Sequence, residues 1–229
     1  MTVYFYLKEK PSLKKKKFSW LPVIFLLIGM VVLANASLPL ALYQFRSQNN
    51  FPKKFLSPIG VGKNQVLGME NGLDYDQPEN WFPTAPKPIS WPNKITYYNI
   101  SIPKLKIEDA VVEIGGENLS KSLVQYPATA LPGEYGNSVI FGHSSLPQFF
   151  SPKDYRSIFS TLPKLKNRDK ILVDFDGIQY QYQVIQMIEV QPVDTSVLAQ
   201  YYDSQYLTLV TCVPPGTLNR RLVVRAQLE

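Results

Sequence analysis

Two side chains capable of nucleophilic chemistry occur once each in this chain of 229 residues: Cys212 and His143. Cys212 follows the apolar stretch 207–210 and precedes Val213-Pro214-Pro215-Gly216, so the pattern predicts a short buried strand that ends near the thiol. His143 likewise follows the apolar stretch 138–141 and precedes two serines. A thiol and an imidazole at the ends of two strands predict a cysteine nucleophile with its acid-base partner.

Each of the two residues also has a simpler explanation. A free cysteine is among the most buried residue types and behaves as a small hydrophobe, so Cys212 alone could be a core residue. His143 alone could equally cap an element or lie in a core. An inert domain of this kind predicts a buried thiol that does not react.

Acyl transfer by Cys212 requires further groups. A cysteine is mostly protonated at neutral pH, so the nucleophile needs a positive partner or a base, and His143 can serve as either. The tetrahedral intermediate needs hydrogen-bond donors for its oxyanion. Arg220 and Arg221 begin an apolar stretch after a Pro-Pro-Gly loop. If that stretch pairs antiparallel with the cysteine strand, Arg221 lies beside the thiol, although Arg220 competes for this role.

The elements that must position these residues are mostly strands, in one domain at 94–229. Runs of β-branched and aromatic residues predict strands at 95–102, 110–114, 138–141, 170–175, 178–190, 206–211 and 221–227. Asp176-Gly177 between two alternating runs predicts a hairpin. Short helical segments are predicted at 119–124, 155–162 and 195–202. Seven or eight strands with few helical turns favour an all-β fold, a closed or nearly closed barrel.

The positive charge of the chain is concentrated at the amino terminus. Residues 1–17 contain six lysines and one glutamate, which accounts for most of the net charge of +6. The remainder is almost neutral, so the composition argues against binding of nucleic acid. A basic segment directly before an apolar one is typical of a cytoplasmic flank of a membrane helix.

Residues 18–43 contain no charged side chain and are long enough to span a bilayer. The lysines predict a cytoplasmic amino terminus, so the domain that follows is expected outside the plasma membrane as part of a single-pass protein. Ala34-Asn35-Ala36 has the small-x-small form of a signal-peptidase site. The apolar stretch continues beyond that point, and Trp20 and Tyr43 flank it like interface anchors, which favours an uncleaved transmembrane anchor.

Residues 44–93 are rich in Pro, Gly and Asn and lack periodicity, which is typical of an extracytoplasmic linker. Four aromatic residues are unusual in a plain tether: Tyr75, Trp81, Phe82 and Trp91. They predict that part of the linker packs on the domain or over its cleft.

Three ordered motifs resemble those of the sortases, a family of membrane-anchored cysteine transpeptidases. The first is Thr208-Leu209-Val210-Thr211-Cys212, with Pro214, Gly216 and then Arg221-Leu222-Val223-Val224. The others are Ile100-Ser101-Ile102-Pro103-Lys104-Leu105 and the segment 131–143, which ends in Val139-Ile140-Phe141-Gly142-His143. The resemblance covers roughly residues 95–228.

The resemblance implies an eight-stranded β-barrel with its active site at strand ends. Cys212 would be the nucleophile, His143 the general acid and base, and Arg221 the residue that positions substrate and stabilises the oxyanion, with Thr211 also at the substrate. It implies cleavage of a Leu-Pro-x-Thr-Gly-like sorting signal after Thr through a thioacyl intermediate. The acceptor would be an amine of a peptidoglycan precursor or a pilin lysine. No cofactor and no metal are expected.

Two departures from the family pattern are visible. Phe141 occupies a position where a small residue is common, which predicts a narrower pocket near His143. Residues 76–81 resemble the Asp-Pro-aromatic lid of pilin-polymerising sortases, but the spacing differs, so no lid is predicted.

Two other classes remain as alternatives. One is a different exported cysteine peptidase or transpeptidase, although the motifs of L,D-transpeptidase-like and papain-like enzymes are not present. The other is a non-catalytic, membrane-tethered β-domain that binds the cell wall and carries an inert Cys212.

Overall fold

A computed structural model of the protein describes residues 20–51, 74–83, 85 and 96–229. The chain divides into two compact units, Met1–Leu38 and Pro39–Glu229. The lysine-rich segment 1–17, Trp91 and most of the predicted linker lie outside the described residues.

Eight strands of the second unit form a closed barrel, as predicted. Their order around the barrel is β1-β2-β3-β4-β7-β8-β6-β5, and β5 pairs with β1 to close it. The strands are β1 Tyr97–Ile102, β2 Ile107–Ile114, β3 Leu123–Gln125, β4 Gly136–Phe141, β5 Lys170–Phe175, β6 Ile178–Val190, β7 Gln205–Val213 and β8 Arg220–Leu228.

Two hydrophobic clusters stabilise the barrel. The larger fills the interior, because alternate residues of each strand point inward, as Leu207, Leu209 and Val213 do in β7. The smaller cluster contains Val210 and Cys212 from the opposite face of the same strand. Strand β7 is therefore buried on both faces, which explains why residues 207–213 are all buried.

The predicted Asp176-Gly177 hairpin is confirmed. β5 and β6 pair antiparallel from Phe175 and Ile178 onward. Asp176 has φ 51° and Gly177 has φ 75°, and two successive positive φ angles are typical of the type I′ turn that suits strand twist.

The three predicted helical segments form less helix than expected. Residues 119–124 enter strand β3, where Leu123 and Val124 are fully buried and β3 runs parallel to β2. Within 155–162 the chain forms turns, and a 3-10 helix follows at Leu162–Lys164 with Pro163 in its first turn. Of 195–202 only Thr195–Leu198 is a 3-10 helix, where the Asp194 side chain accepts a hydrogen bond from the amide of Ser196. These segments are too short for a cooperative α-helix.

The helix α1 covers Leu21–Asn50. Within it, Leu21–Phe45 has the length and hydropathy of a membrane span, with a mean hydropathy of 2.4. The part of α1 that belongs to the second unit contacts the barrel through Tyr43 and Ser47, both of which donate hydrogen bonds to Glu189.

Candidate active site

Parallel pairing of β4 with β7 brings His143 and Cys212 to the same level. The register aligns Phe141 with Val210, and the amide of Gly142 donates a 3.1 Å hydrogen bond to the carbonyl of Val210. His143 lies two residues after Phe141, and Cys212 lies two residues after Val210. Since parallel strands end on the same side, the two predicted catalytic residues lie at neighbouring strand ends.

Antiparallel pairing of β7 with β8 places Arg221 directly opposite Cys212. Residues opposite each other in a sheet point to the same face, so the guanidinium and the thiol share the surface of the smaller cluster. His143, Cys212 and Arg221 thus form one row across three adjacent strands.

Arg220 has a different environment from Arg221. Its Nη1 donates a 2.9 Å hydrogen bond to Oε2 of Glu189, and its side chain is 37% exposed. Arg221 is only 1% exposed. Of the two candidates, Arg221 is the one in the row with Cys212.

The Cys212 side chain is buried, with 3% of the residue exposed. Burial raises the pKa of the Cys212 thiol, and the positive charge of Arg221 partly opposes this rise. Burial thus disfavours the thiolate and withdraws the thiol from solvent in this arrangement.

His143 Nε2 donates a 2.8 Å hydrogen bond to Oδ1 of Asp76. Burial lowers the pKa of His143, while the hydrogen bond and charge of Asp76 act in the opposite direction. The nitrogen that points to Asp76 is occupied and does not exchange a proton with another group in this arrangement.

Residues 74–83, which we call the covering segment, lie over the row. Trp81 ends the 3-10 helix Pro78–Trp81 and is fully buried. Its ring centroid lies 5.8 Å from that of His143 and 5.4 Å from that of Phe141, and the Arg221 guanidinium carbon lies 5.3 Å from it. The indole nitrogen donates to the carbonyl of Tyr75, which stabilises the compact turn.

Phe141 supports this segment. It contacts Trp81 edge to face, and its centroid lies 5.9 Å from that of Phe82, which is 1% exposed. Residues 76–81 therefore cover the row, although their spacing differs from that of the family's lid motif. The expectation that part of the linker packs on the domain or over its cleft is confirmed in that Trp81 and Phe82 pack on the domain.

Arg221 donates hydrogen bonds to three main-chain carbonyls. Nη1 bonds to the carbonyl oxygens of Leu218 at 3.0 Å and Arg220 at 3.3 Å, and Nη2 bonds to that of Trp81 at 3.2 Å. Nε is buried and has no hydrogen-bond partner among the described residues. One donor is thus unused, and another is bound to the covering segment.

Two reciprocal hydrogen bonds connect the histidine and cysteine strands. Thr211 Oγ1 donates to the carbonyl of Gly142 at 2.7 Å, and Ser144 Oγ donates to the carbonyl of Cys212 at 2.6 Å. Thr211 is fully buried, so its hydroxyl holds the two strand ends together. Neither Ser144 nor Asp76 was among the predicted site residues. The signals in the sequence were the adjacency of Ser144 to His143 and the position of Asp76 at the start of the lid-like segment 76–81.

Comparison with known proteins identifies the family. The family model for the Sortase domain matches residues 100–229. Sortase A of Bacillus anthracis is 29% identical over 192 residues, which cover 77% of this chain and 86% of that protein.

Solved structures show the same barrel. A sortase D5 transpeptidase of Clostridium perfringens aligns with a TM-score of 0.51 and 28% identity, over 60% of this chain and 81% of that one. Sortase C-1 of Actinomyces oris aligns with a TM-score of 0.52 and 25% identity, over 60% and 76% of the two chains. With the family model matching more than half of its length, this chain belongs to the sortase family of cysteine transpeptidases.

Proposed function

We propose that this protein is a membrane-anchored sortase that cleaves a Leu-Pro-x-Thr-Gly-like sorting signal after Thr and transfers the new carboxyl end to an amine. The observation that carries the proposal is the row of His143, Cys212 and Arg221 across β4, β7 and β8. An inert wall-binding domain gives no reason for an imidazole and a guanidinium to flank a lone thiol.

In the first half-reaction, His143 takes the proton of the Cys212 thiol, and the thiolate attacks the carbonyl carbon of the signal's Thr. The peptide bond to Gly breaks, and His143 supplies the proton that the leaving amine takes. The product is a thioester between Cys212 and the Thr carboxyl group. In the second half-reaction, an acceptor amine attacks this thioester, His143 takes its proton, and the thiolate is released.

Arg221 stabilises the oxyanion of both tetrahedral intermediates. Its buried Nε has a free donor, and its Nη2 becomes free when the carbonyl of Trp81 leaves. Preorganised donors of this kind contribute about 3 kcal/mol to transition-state stabilisation in other acyl-transfer enzymes. Thr211 contributes at the substrate by fixing the strand ends that flank the cleft.

The covering segment must move before the sorting signal binds. It buries Cys212, occupies Nε2 of His143 through Asp76, and occupies Arg221 through Trp81. We infer that the covered arrangement is the resting state and that the segment acts as a lid.

The acceptor is an amine of a cell-wall precursor or a pilin lysine. The anchor is the apolar part of α1, Leu21–Phe45, with the amino terminus in the cytoplasm and the barrel outside the cell. This topology puts the thiol on the side of the membrane where exported proteins and wall precursors meet.

The test uses the full chain in detergent micelles, incubated with a Leu-Pro-x-Thr-Gly peptide and triglycine and followed by mass spectrometry. We expect a thioacyl adduct on Cys212 and a triglycine-capped Leu-Pro-x-Thr product. Both are expected to disappear in Cys212→Ala. His143→Ala should lose product, and Arg221→Ala should retain the thiol while slowing adduct formation.

One result would contradict the transpeptidase proposal. The transpeptidase proposal fails if Trp81→Ala makes Cys212 accessible to iodoacetamide but no peptide in a library of Leu-Pro-x-Thr-Gly variants forms an adduct. Circular dichroism of each variant confirms that the barrel is folded.

A further inference from the structure

Glu189 is a buried carboxylate that the proposed mechanism does not use. It lies in β6, and 1% of its side chain is exposed. Its Oε1 accepts hydrogen bonds from the hydroxyls of Tyr43 and Ser47, and its Oε2 accepts one from Nη1 of Arg220 at 2.9 Å. A buried charge is tolerated only when it is paired and hydrogen-bonded, and Glu189 meets that condition through groups from two different elements.

The first element is the end of α1. Tyr43 and Ser47 are four residues apart and therefore lie on one face of the helix. Tyr43 donates its hydrogen bond over 2.7 Å, and Ser47 is 4% exposed. Phe51, four residues further on, is 7% exposed and belongs to the interior cluster of the barrel. All three residues belong to the same compact unit as Glu189, so this turn of helix is part of the catalytic fold.

The second element is the beginning of β8. Arg220, which holds the other carboxylate oxygen, directly precedes Arg221 in the chain. In the pairing of β6 with β8, Glu189 is opposite Leu222 and Val190 is opposite Arg221. Cys212 lies opposite Arg221 on its other side. Glu189 therefore directly precedes Val190, the residue of β6 that lies opposite Arg221.

We propose that Glu189 is a positioning residue, which ties the end of α1 to Arg220 and thereby fixes Arg221 beside Cys212. The proposal rests on the proposed function for the role of Arg221 in acyl transfer. It assigns to the end of the membrane helix a part in the geometry of the active site in addition to anchoring.

The test compares two kinds of variant in the full chain, purified in detergent. Glu189→Gln keeps an oxygen that can accept from Tyr43 and Ser47 but turns an amide donor toward Arg220. The double variant Tyr43→Phe with Ser47→Ala removes only the two hydrogen bonds from α1 to Glu189 and changes no charge.

Matched controls are available on β1. Tyr97 donates a 3.0 Å hydrogen bond to Glu113, and Ser101 donates to Asp109 at 3.3 Å, all at exposed positions. Glu113→Gln therefore matches Glu189→Gln. Tyr97→Phe with Ser101→Ala matches the double variant of the helix.

The readout is the pH dependence of Cys212 alkylation, which needs no sorting signal. Arg221 lowers the pKa of the Cys212 thiol, so displacement of Arg221 raises the alkylation midpoint. The direct effect of Glu189→Gln has the opposite sign, because loss of a negative charge favours the thiolate. A rise in the midpoint therefore distinguishes displacement of Arg221 from a direct charge effect.

We expect the midpoint to rise in Glu189→Gln and in the helix double variant, as in the reference variant Arg221→Gln, and to stay unchanged in both controls. kcat/KM for a sorting peptide should fall about tenfold, mainly in kcat, because small displacements of a catalytic group are costly. In an Arg221→Gln background, Glu189→Gln should no longer raise the midpoint, because only its direct charge effect remains.

An unchanged or lower midpoint in the helix double variant, in folded protein, overturns the proposal. If Glu189→Gln does not fold, the double variant alone decides. If the midpoint rises but no sorting peptide reacts with wild type, the positioning role stands and the proposed function fails.

Discussion

The carboxylate of Asp76 accepts a 2.8 Å hydrogen bond from Nε2 of His143, although 67 residues separate the two in the chain. The main chain of Asp76 is itself fixed, because its carbonyl accepts a 2.9 Å hydrogen bond from the amide of Leu119. The covering segment is therefore anchored both to the barrel and to the proposed acid-base catalyst, and the strength of these anchors can be measured.

Asp76→Ala should increase the rate of Cys212 alkylation at a fixed pH by about fivefold. The substitution removes a hydrogen bond worth about 1 kcal/mol from the covered state and nothing from the uncovered state. The measurement is the iodoacetamide rate, followed by intact mass. Glu79→Ala is the control, because Glu79 lies in the same covering segment, within the 3-10 helix Pro78–Trp81, and is exposed. An equal acceleration in Glu79→Ala would contradict the role of Asp76.

Trp81→Ala should shift the alkylation midpoint of Cys212 to lower pH. Burial raises the pKa of the thiol in the covered state because it disfavours the thiolate. Without the fully buried indole the cover is lost, water reaches the thiol, and its pKa falls while Arg221 continues to favour the charged form. Trp81→Phe retains an apolar ring and should shift the midpoint less, whereas equal midpoints in wild type and Trp81→Ala would show that the segment does not control the thiol.

Thr211→Val should lower both stability and activity. Valine keeps the shape but leaves the Gly142 carbonyl without the 2.7 Å hydrogen bond from Thr211, which costs about 1 kcal/mol in unfolding free energy. Thr208→Val is the matched control, since Thr208, three residues before Thr211 in β7, donates from Oγ1 over the same distance to Asn137 of β4. Both should lower the urea midpoint, and only Thr211→Val should reduce kcat at temperatures where both proteins are fully folded.

Gly142→Ala should disrupt the histidine loop. An added Cβ would lie 2.5 Å from Phe159 Cδ2 and 2.6 Å from Leu123 Cδ2, closer than real contacts allow. Overpacking of this kind costs about 1–3 kcal/mol and would displace the chain beside His143. Thermal unfolding and kcat measure the two effects; a Gly142→Ala protein with normal activity would mean that the loop tolerates displacement. Gly177→Ala, in the open hairpin turn with φ 75°, should cost stability without loss of kcat.

The sequence was most informative where neighbouring strands are close along the chain. Asp176-Gly177 predicted the β5–β6 hairpin, and the short loop before Arg221 predicted its antiparallel pairing with Cys212. In both cases a turn limits the possible partners to one strand. The pairing of β4 with β7 and the position of β3 join residues far apart in sequence, and no local pattern specifies them.

The covering segment shows a second limit of local patterns. Its aromatic residues indicated contact with the domain. No lid was predicted, however, because the spacing of residues 76–81 differs from that of the family's lid motif. What holds it is a set of contacts with remote residues, above all the edge-to-face contact of Trp81 with Phe141 and the hydrogen bond of Asp76 with His143. Phe141 was interpreted as narrowing a pocket, whereas it is the surface on which Trp81 and Phe82 pack.

The burial of Cys212 also has a chemical consequence for its thiol. Oxidation to sulfenic and higher acids requires a thiolate that an oxidant can reach. The covered arrangement disfavours the thiolate, because burial raises the pKa of Cys212. It also keeps oxidants away from the sulfur, because only 3% of Cys212 is exposed. The lone cysteine has no second thiol in the chain with which a sulfenic acid could condense. Under the proposed function, the same cover that closes the site also preserves Cys212 in its reduced form until a substrate displaces the covering segment.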